Sequence, residues 1–337
     1  MAKRKLTRRQ AWRAQKIQEE RRSRAKKKAD QVKATLEGSE LGPEQSGRVI
    51  TRYGVQVDVE DATGVIHRCL MRQNLPPLVC GDRVIWQAGS NHSGVIVALE
   101  PRQSLLERPD ADNQIKPVAA NINQILVVAA PLPALDIDLI NRYVVAAELT
   151  GIPPVLIINK IDLLDDKALT KMQQRLQVYA DIGYPVIYAS TKQLHGLDTL
   201  INQLRDKTSI FVGQSGVGKS SLIQALLPEE DLRVGAISEG SGLGRHTTTT
   251  TRLYHFPGGG ELIDSPGVRA FRLGHVSFVE LTHGFVEFRP YQGHCRFNNC
   301  RHTVEPDCAL QQAMAEQKIS HERFESYLRI AATLENS

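Results

Sequence analysis

One stretch of the sequence has the residue types and the spacing needed to hold a nucleoside triphosphate. Residues 213–220 read GQSGVGKS and fit the phosphate-loop pattern G-x-x-x-x-G-K-[ST] at every fixed position. Glycines let successive backbone N–H groups point inward at the phosphates, at a helix N-terminus that already favours negative charge. In this pattern Lys219 is expected to reach the β- and γ-phosphates and Ser220 to hold Mg²⁺. The alternative interpretation is an ordinary glycine turn between a strand and a helix.

A second motif, at residues 159–162, has the chemistry to select a base. It reads NKID and follows an apolar run typical of a buried strand. The carboxylate of Asp162 can accept hydrogen bonds from N1–H and the 2-amino group of guanine, a donor pair that adenine lacks. Asn159 is expected to brace the loop and read the base, while the stem of Lys160 lies along the ring. A backbone amide of the short element 189–191 (AST) could contact the guanine oxygen.

Two segments after the phosphate loop are typical of switches that respond to a γ-phosphate. Residues 242–251 read GLGRHTTTTT, and one threonine is expected to close over Mg²⁺. Thr248 is the first choice, with Thr247 and Thr249 as alternatives. Residues 264–267 read DSPG, so Asp264 is predicted to hold Mg²⁺ through water and the amide of Gly267 to sense the γ-phosphate.

The catalytic residue is the least determined part of this site. Many GTPases carry a water-orienting Gln just after D-x-x-G, but this sequence has Val268, which has no hydrogen-bonding side chain. His246, beside the switch threonines, is the candidate because a neutral imidazole can orient water near pH 7. The alternative is that a bound partner supplies the catalytic group and His246 is only a solvated loop residue.

Four possible metal ligands lie within fourteen residues near the C-terminus. They are Cys295, Cys300, His302 and Cys308, spaced C-x₄-C-x-H-x₅-C. Three thiolates and one imidazole can close around a tetrahedral ion, so the complete set predicts structural zinc with no open position for water. The alternative is three free buried thiols and a surface histidine. The remaining cysteines, Cys69 and Cys80, are expected to be small buried apolar side chains.

Alternating strands and helices are predicted around the nucleotide motifs. The predicted strands are 125–130, 155–158, 185–188, 209–212 and 261–263, and the predicted helices are 135–149, 166–182, 196–205 and 221–227. The pattern predicts an α/β fold with a mainly parallel sheet and sites at the carboxyl ends of the strands. The N-K-x-D motif precedes the phosphate loop, whereas in an ordinary GTPase it follows. We therefore expect a circularly permuted domain.

The flanking regions differ from this pattern. Residues 46–100 contain five short alternating segments separated by turn residues, which predict a small β-barrel of OB-fold size; a plain β-domain is the alternative. Residues 102–116 read as a polar linker, and 308–334 as helical with Arg323 and Arg329 exposed. We expect a tail (1–40), a barrel (45–102), an α/β domain (103–274) and a metal-binding domain (275–337).

Positive charge is concentrated at the N-terminus. Residues 1–33 hold 14 Lys/Arg and 3 Asp/Glu, so a chain of 337 residues with a net charge of +5 carries −6 outside this segment. Such a tail is expected to be disordered until it binds nucleic acid with salt-dependent affinity, unless it only aids solubility. No apolar run approaches the roughly 18 residues that span a membrane. The basic N-terminus also leads into no hydrophobic segment that could serve as a signal peptide. The prediction is a cytoplasmic protein without membrane contact.

Taken together, these motifs closely resemble the RsgA (YjeQ) family, the bacterial GTPases that depend on the small ribosomal subunit. The resemblance implies an N-terminal OB barrel, a circularly permuted GTPase domain and a mostly helical zinc domain, with GTP or GDP, Mg²⁺ and one Zn²⁺. It implies a late maturation factor that contacts the rRNA of the small (30S) subunit and is stimulated by it; we expect a monomer. The residues that it implies as GTP contacts are Asn159, Lys160, Ile161, Asp162, Gly213, Gln214, Ser215, Gly216, Val217, Gly218, Lys219, Ser220 and Ser221.

Two functions of different classes stay open at this point. The first is an RNA-activated GTPase that times a step of ribosome assembly, and the second is an rRNA-binding scaffold that holds GTP without useful turnover. A GTPase of large-subunit assembly is disfavoured by the barrel and the terminal Cys/His cluster. Measuring GTP hydrolysis with and without small subunits separates the first two.

Overall fold

The structure, a computed structural model, describes residues 41–72, 74–109, 114–228, 251–264 and 276–334. The basic tail predicted at 1–40 therefore lies outside the described residues. The chain divides into two compact units: one holds the described residues up to Leu78 and Asp82–Pro101, and the other holds Val79–Gly81 and the described residues from Arg102 onward. In these ranges, no helix is both long enough and apolar enough to cross a bilayer.

The first unit is a five-stranded barrel. Its strands are β1 (Glu44–Tyr53), β2 (Gln56–Glu60), β3 (Ile66–Met71), β4 (Arg83–Ala88) and β5 (Ser93–Leu99). β1 pairs with both β2 and β4, β2 pairs with β3, and β5 joins β3 to β4, so the ring of strands closes. The five predicted strands and the OB-type barrel are confirmed.

The barrel is filled by one large side chain between two glycines. Trp86 is fully buried. A Cβ atom on Gly47 would lie 2.6 Å from Trp86 Nε1, and one on Gly94 would lie 2.7 Å from Trp86 Cε3. The indole fits because both positions lack a side chain.

The two cysteines outside the C-terminal cluster, Cys69 and Cys80, are also buried, as predicted.

A hairpin replaces part of the linker that the sequence predicted over 102–116. β6 (Leu105–Pro109) pairs antiparallel with β7 (Ile115–Ala120). Leu106 and Ala119 are buried, while Glu107 is exposed. The linker prediction was wrong because short polar strands carry a weak pattern and gain their order from a partner strand.

A six-stranded sheet organises the second unit. Its strands are β8 (Gln124–Ala129), β9 (Pro154–Ile158), β10 (Val186–Tyr188), β11 (Thr208–Gly213), β12 (Arg252–His255) and β13 (Glu261–Asp264). They lie in the order β10-β9-β8-β11-β13-β12, all parallel except β12. The chain builds one half outward from β8 to β10, returns to the central β11, and then completes the other half. This is the permuted order that the motifs predicted.

Among the described residues, one helix follows each of the parallel strands β8, β9, β10 and β11: α1 (Ile137–Thr150), α2 (Asp166–Ile182), α3 (Asp198–Leu204) and α4 (Lys219–Leu226). Asp136 and Asp165 cap the N-termini of α1 and α2 by accepting backbone N–H groups of the first turn. Gly151 and Gly183 end the same helices with φ of 70° and 106°. The caps therefore set where α1 and α2 begin and end.

The C-terminal region of the second unit is helical. It contains α5 (Phe278–Gly284), a 3₁₀ helix (Val286–Tyr291), α6 (Ala309–Ala315) and α7 (His321–Leu334). Phe285, Phe288, Tyr327 and Ile330 form its buried core, which also includes Val145 of α1. The region therefore shares apolar packing with the α/β part of the same unit.

Two details of this region differ from the sequence predictions. The helix predicted over 308–334 is interrupted between α6 and α7, where Gln317 has a φ of 58°. Arg323, predicted to be exposed, is fully buried because its guanidinium pairs with Glu287 and Asn141. Arg329 is exposed, as predicted.

Candidate nucleotide and metal sites

The phosphate loop lies at the carboxyl end of the central strand β11 and leads into α4. Gly213 has a φ of 142° and Gly218 a φ of 92°. A Cβ atom would lie 2.2 Å from the carbonyl oxygen of Val128 at the first position and 2.4 Å from Asn159 Nδ2 at the second. Both glycines are therefore needed for the loop to fit against the neighbouring β8 and the N-K-x-D segment.

Two side chains of the N-K-x-D segment hold the phosphate loop. Asn159 is buried, and its Nδ2 donates to the carbonyl oxygen of Val217 at 2.9 Å. Lys160 Nζ donates to the carbonyl oxygens of Gly216 at 2.6 Å and Leu132 at 3.2 Å. Asn159 Oδ1 is buried and accepts no hydrogen bond from the described residues. A buried acceptor of this kind fits a site completed by a ligand donor or a water.

The carboxylate predicted to read guanine is fixed by a neighbouring hydroxyl. Asp162 lies in the 3₁₀ turn Ile161–Leu163, and its Oδ1 accepts from Ser190 Oγ at 2.5 Å. Ser190 is fully buried, and its Oγ accepts from the backbone N–H of Lys192 at 3.1 Å. The sequence pattern predicts only a backbone contact for this element and misses the hydroxyl. A serine just after β10 was the available signal, but its distance from Asp162 is a tertiary property.

The groups predicted to act on the phosphates and Mg²⁺ come from two adjacent strands. Lys219 Nζ donates to the carbonyl oxygens of Gly213 at 2.7 Å and Gln214 at 2.6 Å. The ammonium group is thus held within the loop where the phosphates are expected. Asp264 ends β13, which runs parallel to β11, so it reaches the same edge of the sheet as Ser220 at the start of α4.

Other predicted residues divide into two groups. Ser215 is exposed in the loop, and Ser221 is exposed in the first turn of α4. His246, Thr248 and Gly267 lie outside the described residues. The roles of these three stay predictions from the sequence.

The four predicted metal ligands converge in space. Cys295 Sγ, Cys300 Sγ, His302 Nδ1 and Cys308 Sγ all lie within 4.8 Å of one another. The imidazole nitrogen is 3.5, 3.5 and 3.3 Å from the three sulfur atoms in that order, and Cys295 Sγ is 3.9 Å from Cys308 Sγ. A tetrahedral zinc ion with the usual bond lengths places sulfur ligands about 3.8 Å apart. The donor set and its spacing therefore fit a closed zinc site.

The loop between Cys300 and Cys308, which carries His302, is braced by one carboxylate. Glu305 accepts backbone N–H groups from Arg301, Thr303 and Val304 at 2.8 to 3.1 Å. Burial opposes ionisation of this carboxyl, but the backbone hydrogen bonds outweigh it and lower the pKa of Glu305 to about 2. The loop around His302 is thus held by an ionised side chain at neutral pH.

Burial also controls the protonation of the ligands in the metal-free protein. It raises the pKa of the Cys300 thiol to about 12 and raises the pKa of Cys308. It lowers the pKa of His302, so the imidazole is neutral at pH 7 and has a lone pair to offer. Metal binding must therefore remove protons from the Cys300 and Cys308 thiols but not from the His302 imidazole.

Replacing Ser190 with Ala should weaken guanine nucleotide binding. The change removes the hydroxyl that positions Asp162, and a hydrogen bond to a charged group contributes about 1.5–3 kcal/mol, so the dissociation constant for GDP should rise roughly tenfold or more. Titration calorimetry measures it. Thr191→Ala, at the exposed neighbouring position, is the control and should bind like the wild type. Equal affinity in both variants would remove Ser190 from this role.

Zinc binding should release at least two protons per ion at pH 7.5, one each from the Cys300 and Cys308 thiols, whose pKa values are raised, and none from His302. Affinity should then rise with pH, because binding is coupled to the loss of these protons. Calorimetry in two buffers of different ionisation enthalpy counts the protons. Cys300→Ser should lose most of the affinity. Release of one proton or fewer would contradict the Cys₃His assignment.

Comparison with known proteins agrees with the observed fold. The sequence model of the RsgA GTPase family matches residues 99–274. A protein of Azotobacter vinelandii named "Small ribosomal subunit biogenesis GTPase RsgA" is 54% identical over 99% of this chain and 98% of its own length.

Two crystal structures share the architecture. YjeQ from Thermotoga maritima is 32% identical, with a TM-score of 0.73 over 88% of this chain and 100% of that chain. YloQ, described as a circularly permuted GTPase, is 27% identical, with a TM-score of 0.70 over 87% of this chain and 96% of that chain. With the family model and the full-length relative, they show that this chain belongs to the RsgA family of circularly permuted GTPases.

Proposed function

We propose that this chain hydrolyses GTP as a late maturation factor of the small ribosomal subunit. The observation that carries the proposal is the contact between the two nucleotide motifs, in which Asn159 and Lys160 donate to carbonyl groups of the phosphate loop. This contact joins a base-selecting segment to a phosphate-binding segment. The relative from Azotobacter vinelandii, whose name assigns it to small-subunit biogenesis, aligns over nearly the whole chain.

In the proposed site, each end of the nucleotide meets a different part of the sheet edge. Asp162, held by Ser190, accepts from guanine, and Asn159 braces the loop beside it. At the phosphate end, Lys219 exchanges its present carbonyl partners for phosphate oxygens. The proposed Mg²⁺ positions are Ser220, Thr248 and Asp264, and the ion would neutralise charge that develops on the phosphates.

The other parts of the chain have proposed roles of their own. The barrel (45–102) and the basic tail (1–40) would contact rRNA, and the GTPase domain (103–274) would hold GTP. In the C-terminal domain (275–337), a structural zinc ion would be held by Cys295, Cys300, His302 and Cys308. We propose that the protein acts as a monomer in the cytoplasm, where ribosomal subunits mature.

Replacing Asp162 with Asn should change the base preference. The amide cannot accept from both guanine donors, so the free energy of GTP binding should weaken by about 1–3 kcal/mol, while binding of xanthosine triphosphate should improve. Competition between the two nucleotides measures the preference. Asp166→Asn, at an exposed carboxylate in the first turn of α2, is the control. An unchanged preference for GTP would show that Asp162 does not read the base.

Hydrolysis should be slow in the free protein and faster with small ribosomal subunits. We propose that His246 orients the attacking water, so His246→Ala should keep GTP and subunit affinity but lose most of the stimulated turnover. Phosphate release with and without subunits measures both effects, with His195→Ala, an exposed histidine, as the control. Absence of stimulation in the wild type would favour the scaffold. Stimulation that survives in His246→Ala would place the catalytic group on Arg245 or the ribosome.

A further inference from the structure

A buried guanidinium joins the C-terminal region to the α/β part of the second unit. Arg323 of α7 is fully buried, and its Nε and Nη2 donate to the two carboxylate oxygens of Glu287 at 2.7 and 3.0 Å. Its Nη1 donates to Asn141 Oδ1 on α1. The rings of Phe285 and Tyr179 lie 4.5 and 5.3 Å from the guanidinium carbon. The charge is neutralised on one side, while the other side of the guanidinium reaches α1.

Asn141 is the junction of this network. It is fully buried, and its Oδ1 also accepts from the hydroxyl of Tyr179 on α2 at 2.6 Å. Its Nδ2 donates to Ser326 Oγ on α7 at 2.7 Å. One amide group therefore connects three helices, and the hydrogen bonds are satisfied together only at one spacing of α1, α2 and α7.

The helices α1 and α2 are the ones that follow the base-selecting loops. The segment 159–162 leads through the 3₁₀ turn into Asp165, the N-cap of α2. The loop before α1 contains Leu132, whose carbonyl oxygen accepts from Lys160 Nζ at 3.2 Å. A shift of α1 relative to α2 would therefore move the Leu132 carbonyl relative to Lys160 and to the segment that carries Asp162.

Exposed ion pairs also cross between the same elements. Arg329 donates to both carboxylate oxygens of Asp138 at 2.7 and 2.9 Å, and Arg175 pairs with Glu322 at 2.5 Å. Pairs exposed to solvent contribute little because water screens them. The apolar core around Val145 packs α1 against the C-terminal helices but does not fix their direction, since apolar contact is not directional. The buried network is the element that specifies the spacing.

We propose that Arg323 is a positioning residue for guanine recognition: it fixes α1 against α2 and thereby sets the position of the Asp162 carboxylate. The inference rests on the guanine site proposed above. It predicts that the C-terminal region contributes to base selection without touching the nucleotide. A loosened network should weaken the interaction with the 2-amino group of guanine more than the interaction with the phosphates.

Comparison of GDP with inosine diphosphate, which lacks the 2-amino group, tests the proposal. Tyr179→Phe removes one hydroxyl and keeps the Arg323–Glu287 pair, while Arg323→Lys keeps the charge but loses the planar fork. In each variant the dissociation constant for inosine diphosphate divided by that for GDP should fall about fivefold. This is the effect of losing one hydrogen bond of average strength. Arg329→Lys, on the exposed face of the same helix, is the control and should keep the wild-type ratio.

This ratio separates a loss of positioning from a general loss of stability, because partial unfolding weakens the binding of GDP and of inosine diphosphate equally. An unchanged ratio in Tyr179→Phe, with wild-type zinc content, would overturn the proposal even if Arg323→Lys does not fold. Asp162→Asn distinguishes this failure from that of the guanine site. If the wild type binds GDP and inosine diphosphate equally, or if Asp162→Asn keeps the wild-type preference for GDP, the proposed guanine site itself is contradicted.

Discussion

The hydrogen bond from the Asn159 side chain to the carbonyl oxygen of Val217 joins the two halves of the nucleotide site. The two residues lie on loops that follow β9 and β11, with β8 between these strands in the sheet. The amide approaches so closely that position 218 must be glycine, since a Cβ atom there would lie 2.4 Å from Asn159 Nδ2. The N-K-x-D segment and the phosphate loop are thus fixed against each other by contacts within the protein.

This contact also explains why the permuted order of the chain is compatible with the site. Parallel strands end at the same edge of a sheet whatever their order in the sequence. The chain visits β8, β9 and β10 before the central β11, yet Asn159 still contacts the phosphate loop and Asp162 still contacts Ser190. Permutation changes which segments are adjacent in sequence, and β13 now leads toward the C-terminal helices. The geometry of the site depends on the order of the strands in the sheet and not on their order in the sequence.

The C-terminal region is held in two different ways at its two ends. At one end, three cysteines and His302 converge to a spacing that fits zinc, and Glu305 braces the loop between them. At the other, Arg323 is buried against Glu287 and Asn141 beside an aromatic core. Breaking such a buried pair costs about 3–5 kcal/mol because it leaves an uncompensated charge. The Cys/His cluster orders the outer loops, and the polar network orders the contact with α1 and α2.

The sequence by itself determined the chemistry that lies within short contiguous segments. The phosphate loop, N-K-x-D and the Cys₃His run each contain their functional groups within fourteen residues or fewer, and the long apolar runs specified the buried strands. Only the tertiary structure decided which hydroxyl holds Asp162, that Arg323 is buried, and that polar residues after 102 form a hairpin. Each of these depends on a partner distant in the chain, and a local pattern of polarity does not encode the distance between two such residues.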